Sequence, residues 1–296
     1  MAAPGWLLAP LASFGPVRRG ADRMLAAPRV GPNEAALGPA LDRLGGEIVR
    51  LRSRDGIRLT ARWLDAEPDA SRGWRSDPHE AILLLHGYSG SVAPDVLEYG
   101  PFLRRTAGVM GLDFRGHGGS DDSPTTFGLG EVEDVAGALA WLGERGITRV
   151  GLFGTSLGAI TAIEAVAILG DGTFEQADID PDRPRSPEPA PRPIVVAVVA
   201  DSASPEVALP VANRIRAPLA GRLLADLLFE AAARRLGADP RATEPGKVVG
   251  LVSPVPMLLV HGEADRTVPL RAAQRLAALA GPACELFTVA GADHAG

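Results

Sequence analysis

From residue 47 onward the chain alternates two hydrophobic rhythms. EIVRLRS (47–53) and IRLTARWLDA (57–66) place apolar and polar residues in turn, as half-buried strands do, and Asp55-Gly56 between them is a strong hairpin signal. AILLLHG (81–87) is instead a continuous apolar run closing on a glycine, the pattern of a strand buried on both faces. Runs of the same kind follow at 108–114, 149–154, 194–202, 256–262 and 284–289. Helical spacing separates them, most clearly over 131–145. There Val132, Val135, Ala136, Leu139 and Leu142 fall on one face, with Glu131, Glu133 and Asp134 in the first turn and Arg145 at the end. A leading antiparallel hairpin followed by strand–helix alternation predicts an α/β fold. Its sheet is mostly parallel and eight-stranded, with helices on both faces.

Three stretches lie outside this alternation. Residues 1–46 form an N-terminal extension, expected to be partly ordered or helical. Residues 171–193 carry six prolines in their last thirteen positions and almost nothing to bury, which predicts a flexible insertion. Residues 205–247 are rich in Ala, Leu and Arg, helical in character and longer than a simple crossover needs. A single α/β domain is expected over 47–296.

Composition narrows the function. Apolar residues make up 46% of the 296 and charged residues 22%, with a net charge of −6 in which both signs are mixed, so no basic face for nucleic acid is present. The single cysteine, Cys284, has no internal partner, and no Cys/His spacing suits zinc, so no metal and no organic cofactor is expected. MAAPGWLLAPLASFGP is apolar but lacks a basic leader and is interrupted by Pro4, Pro10 and Pro16; the expectation is a cytoplasmic protein, with membrane association through this segment as the minor alternative.

The chemistry begins at Gly154-Thr155-Ser156-Leu157-Gly158. G-x-S-x-G alone is weak, but here it joins the end of an apolar strand to a helical run, TAIEAVAIL. That junction is what a nucleophile elbow requires: glycines let the turn close and the serine oxygen stands above the sheet. The helix start aims backbone N–H groups at an anion, that of Leu157 best placed, and Tyr88 in HGYSG supplies a second N–H for an oxyanion.

A serine needs a base held by a third group. Of His79, His86, His117, His261 and His294, only His294 follows the last strand at the sheet edge of Ser156. The others precede a strand at the far edge (His79), end a strand in an HG pair (His86, His261) or sit in the Gly-rich RGHGGS loop (His117). For the acid, Asp265 in HGEADRTVP leads, with Asp201 and Glu263 as alternatives.

In order along the chain, DGIRLTARWL, LLLHGYSG, LDFRGHGGSDD, GLFGTSLGAI, VVADSAS, LLVHGEADRTVP and VAGADHAG resemble the α/β-hydrolase fold superfamily over about 250 residues. They look most like bacterial serine hydrolases of the carboxylesterase, dienelactone-hydrolase-like or aminopeptidase-like groups. The resemblance implies Ser156 as nucleophile, Asp265 as acid, His294 as base, and Tyr88 with Leu157 as oxyanion donors. It also implies that 205–247 caps the site and that Asp113 and RGHGGS order the pocket wall. The expected activity is cleavage of a carboxylic ester or related small-molecule acyl substrate. A peptidase of the same fold and a non-catalytic binding protein are the rival readings. Asp293 departs from the family pattern, where glycine is usual, and places a carboxylate beside the base, to act on it or face solvent. Relatives continue past the histidine into a final helix, so the chain is expected to be a fragment of a longer enzyme with one face of the 284–289 strand uncovered.

Overall fold

Strand-end chemistry needs a sheet whose register is fixed, and the hydrophobic pattern supplies one. The computed structural model describes residues 12–29, 31, 34–68, 76–170, 192–215 and 220–295. Eight strands form one sheet: β1 (Glu47–Arg52), β2 (Arg58–Leu64), β3 (Glu80–Leu85), β4 (Gly108–Asp113), β5 (Arg149–Thr155), β6 (Ile194–Asp201), β7 (Met257–Gly262) and β8 (Cys284–Val289). Their order is β1-β2-β4-β3-β5-β6-β7-β8. β1 pairs antiparallel with β2, and β2 with β4; every later pairing is parallel. The expected architecture is therefore observed.

Alternation along the central strands sorts the core into two layers. Leu83, Leu85, Met110 and Leu112 face α4 (Glu131–Glu144) and α5 (Leu157–Leu169), while Leu84 and Val109 face α3 (Ala93–Leu103) through Val92 and Val96. α2 (Gly38–Leu44) joins that second layer through Leu41 and Leu44. At the far end of the sheet α9 (Leu270–Ala280) covers β7 and β8 through Leu276. Ile194 of β6 and Phe287 of β8 each remain 56% exposed. The proline-rich 171–193 insertion falls outside the described residues except for 192 and 193.

The region expected to cap the sheet folds as α6 (Ala208–Arg214), α7 (Gly221–Leu236) and the short α8 (Pro245–Val248). α7 packs against α1 (Gly15–Leu25) near the N-terminus. Together they bury a second apolar cluster in which Phe229, Ala21 and Leu25 meet Phe127, Leu157 and Ile160. No helix among the described residues is long and apolar enough to cross a membrane.

Two buried titratable groups carry stability predictions. Arg115, just past β4, bonds Asp134 of α4 at 2.8 Å and Asp55 of the β1–β2 turn at 2.8 Å. The Asp134 side chain is fully buried. Removing one partner of such a pair strands a charge in the interior, so Arg115→Ala is expected to cost about 3–5 kcal/mol in denaturant unfolding at neutral pH. Glu164 lies inside α5, and among the described residues neither of its carboxylate oxygens has a hydrogen-bond partner. Burial, with Glu131 and then Glu244 adding repulsion, raises its pKa well above the usual carboxyl value. The native state therefore holds a proton that the unfolded chain releases above its ordinary pKa of 4.5, and stability falls as pH climbs from there toward the folded value. Glu164→Gln is expected to flatten that fall, as read by melting temperature against pH.

Candidate active site

The turn between β5 and α5 holds Ser156 at φ 54°, ψ −105°, a conformation costly for any residue with a Cβ. The flanking glycines make it possible. A Cβ on Gly158 would lie 1.9 Å from the carbonyl oxygen of Leu85, and one on Gly154 would lie 2.2 Å from that of Gly158. The elbow is thus pressed directly onto the backbone of β3, and the N–H of Ser156 donates to the Asp201 carbonyl at 2.8 Å.

Three predicted residues meet in one chain of hydrogen bonds. Ser156 Oγ lies 2.9 Å from His294 Nε2, and His294 Nδ1 lies 2.8 Å from Asp265 Oδ2. The other oxygen of Asp265 accepts the N–H groups of Thr267 (2.8 Å) and Val268 (2.7 Å), so the carboxylate is held at both ends. Its side chain is buried and that of His294 nearly so.

The remaining candidates lie elsewhere. Glu263 accepts from Thr288 on the surface. Asp201 points at Ser202, whose hydroxyl donates to it at 2.9 Å, and burial raises the Asp201 pKa. His86 is buried with Nδ1 on the Gly87 carbonyl and Nε2 accepting the Phe114 N–H; burial, then the neighbouring His117, lowers its pKa to about 3 and keeps it neutral. His261 Nε2 lies 2.6 Å from the Val268 carbonyl and shapes the acid's turn. His79 bonds the Gly146 carbonyl at the opposite sheet edge.

The two predicted oxyanion donors flank Ser156. Leu157 opens α5, where N–H groups have no intrahelical acceptor. The Gly87–Tyr88 loop runs beside the nucleophile, since a Cβ on Gly87 would sit 3.8 Å from Ser156 Cβ. Neither the Tyr88 nor the Leu157 N–H has an acceptor among the described residues. The Tyr88 ring stacks on Phe127 at 5.5 Å, and Phe127 meets Phe229 of α7 at 5.1 Å.

Ser202 and Asn213 brace the site without any signal in the sequence, while Asp293, His117 and Asp113, singled out above, take definite places. Asp293 neither faces the imidazole nor merely faces solvent. Its Oδ1 accepts the N–H of His294 (2.8 Å) and of Arg266 (3.2 Å), bonds that lower its own pKa and tie the base loop to the acid loop. Ser202 Oγ accepts the Ala295 N–H at 3.0 Å, pinning the other side of His294. His117 sets Nε2 2.7 Å from the Tyr88 carbonyl. Asp113 accepts the N–H groups of Val92 and Gly119 at 2.9 Å, ordering the wall at the ends of β3 and β4. Asn213 of α6 donates to the Thr267 carbonyl at 2.9 Å, joining that helix to the loop of Asp265. Among the described residues no cluster of three or more His, Cys, Asp or Glu is arranged to hold a metal ion.

An elbow serine, a strand-end acid and a histidine past the last strand of a mostly parallel sheet define the α/β hydrolases as a class. Residues 82–296 match the alpha/beta hydrolase family model, and the chain belongs to that family. It is 25% identical over 266 residues to the uncharacterized protein YfhR of Escherichia coli O157:H7, covering 89% of this chain and 78% of that protein. Among solved structures it resembles the esterase Pf2001 of Pyrococcus furiosus, with TM-score 0.63 and 21% identity over 91% of this chain and 89% of the other. An alpha-beta hydrolase from Vibrio vulnificus gives TM-score 0.62 and 15% identity over 95% and 88%.

Proposed function

We propose that this protein is a serine hydrolase that cleaves carboxylic esters or related acyl bonds through an acyl-enzyme intermediate. The observation carrying the proposal is the hydrogen-bonded series Ser156–His294–Asp265 at 2.9 and 2.8 Å, set on a strained elbow. Ser156 Oγ attacks the substrate carbonyl as His294 Nε2 takes its proton. The carbonyl oxygen, now negative, lies between the N–H groups of Tyr88 and Leu157. His294 returns the proton to the leaving group, which departs as an alcohol. Water then attacks the acyl-enzyme with His294 again as base, releasing the acid and free Ser156. Asp265 keeps Nδ1 protonated and stabilises the imidazolium that forms.

The Tyr88 ring beside the site, backed by the buried Phe127 and Phe229, favours an apolar acyl or alcohol group there. A fluorophosphonate probe tests the proposal: stoichiometric labelling at Ser156 is expected, and a folded sample that resists labelling would leave a non-catalytic binding protein as the better reading. Turnover of short acyl esters against aminoacyl or peptidyl amides then separates esterase from peptidase.

A further inference from the structure

We propose that the N-terminal stretch carrying Met24, Pro28, Arg29 and Glu34 is a positioning element of the oxyanion site, holding the Tyr88 loop in register with Ser156; this rests on the acyl-transfer reading above. The loop after β3 leaves the sheet at Leu85 and runs through Gly87, Tyr88 and Gly90, so its own residues do little to restrain it. A donor N–H contributes to an oxyanion only if it is fixed before the charge develops, and misplacement by about 1 Å can cost on the order of 100-fold in rate.

The restraints come from the N-terminal stretch. The Tyr88 hydroxyl donates to the Met24 carbonyl. The Gly90 N–H donates to the Pro28 carbonyl at 2.8 Å, and the Ser91 N–H donates to Glu34 Oε1 at 2.8 Å. One residue further into the wall, the Gly118 N–H donates to the Arg29 carbonyl at 2.9 Å. The Arg29 guanidinium reaches the Gly118 and Ser120 carbonyls and Asp122. Contact is close enough that a Cβ on Gly90, itself at φ +94°, would meet Glu34 Oε1 at 2.0 Å. From the opposite side His117 holds the Tyr88 carbonyl, so the loop is gripped between the N-terminal stretch and the RGHGGS turn. The grip begins at the residue that carries the N–H and continues just past it, at the side chain of residue 88 and the backbone of residues 90 and 91. A stretch that only filled space would have no need of directed bonds to consecutive donors of this one loop.

The test uses the full chain with Tyr88→Phe, which keeps the ring stack and removes the bond to Met24, and Glu34→Ala, which frees the Ser91 N–H. Each is expected to lower kcat on the order of 10-fold with KM within about twofold, because the loss falls on the transition state. Affinity for a trifluoromethyl ketone, which forms a tetrahedral oxyanion on Ser156, is expected to fall in step with kcat. Glu34→Gln retains an acceptor oxygen and is expected to restore both. Unchanged kcat and ketone affinity in Tyr88→Phe, or in a folded Glu34→Ala, overturns the inference, as does a Gln variant as impaired as the Ala one. If Glu34→Ala does not fold, Tyr88→Phe decides alone. Fluorophosphonate labelling of the unaltered chain checks the underlying reading separately: no labelling defeats that reading, whereas labelling with unaffected variants defeats only the inference.

Discussion

Ser156→Ala is expected to lower kcat by about 10^5- to 10^6-fold, leaving only the catalysis that binding and the oxyanion donors supply. The size follows from the arrangement of the site. Ser156 Oγ is the one atom bonded to His294 Nε2, and removing it leaves base and acid with nothing to activate. The same change is expected to leave the melting temperature where it was. The elbow is shaped by Gly154 and Gly158 against backbone atoms, and alanine meets the same φ of 54° with the same Cβ as serine. Activity lost without stability lost, measured on one purified sample by ester turnover and thermal melting, is the expected signature.

Asp265→Asn is expected to lower kcat by about 10^4-fold, whereas Asp201→Asn and Glu263→Gln change it only a few-fold. Three carboxylates stand near the ends of β6 and β7, and only one touches the imidazole. An asparagine at 265 can still receive the Thr267 and Val268 N–H groups on its oxygen, so the turn survives. Its amide then presents a donor to His294 Nδ1 and favours the tautomer with the proton on Nε2, the wrong nitrogen for a base facing Ser156. Asp201 serves the site indirectly, through Ser202 and the Ala295 N–H, and an amide oxygen there preserves that link. A pH–rate comparison of the three variants on one ester separates these roles, and loss of equal size in the Asp201 variant would reassign the acid.

Much of this is legible in the sequence because strand ends announce themselves. Continuous apolar runs ending in HG, GTS, ADS and HGEAD placed the sheet, and chain order then singled out Ser156 and His294. The acid stayed open between Asp265, Asp201 and Glu263 because a strand-end carboxylate looks the same in sequence whether it faces a histidine or a serine hydroxyl. Contributions made through backbone groups were invisible for a stronger reason. Met24 and Pro28 offer carbonyl oxygens to the Tyr88 loop and Arg29 offers one to Gly118, and no residue pattern encodes where a carbonyl points. α3 was equally hard to see, since APDVLEYGPFL carries a glycine and an internal proline. Its helix forms because Val92 and Val96 pack under β3 and β4, tertiary burial overriding a poor local propensity. Glu164 was hidden for the opposite reason, as one acid in an otherwise apolar helix whose surroundings only the fold reveals.

Gly262 closes β7 just before the acid loop, and a Cβ there would lie 2.4 Å from the Ala292 carbonyl oxygen and 2.6 Å from that of Asp293. The loop that carries His294 therefore rests on bare main chain, as the elbow rests on β3 through Gly158. Contacts of this kind contain no side chain that could shrink, grow or rotate. They set a part with no room for change apart from a part held by side chains, α6 and α7, where only Asn213 and Phe229 are named as reaching the Thr267 carbonyl and the Tyr88–Phe127 stack. Efforts to redirect substrate preference belong among the other side chains of α6 and α7, and libraries that randomise 154, 158 or 262 would spend their diversity on chains unable to close the site.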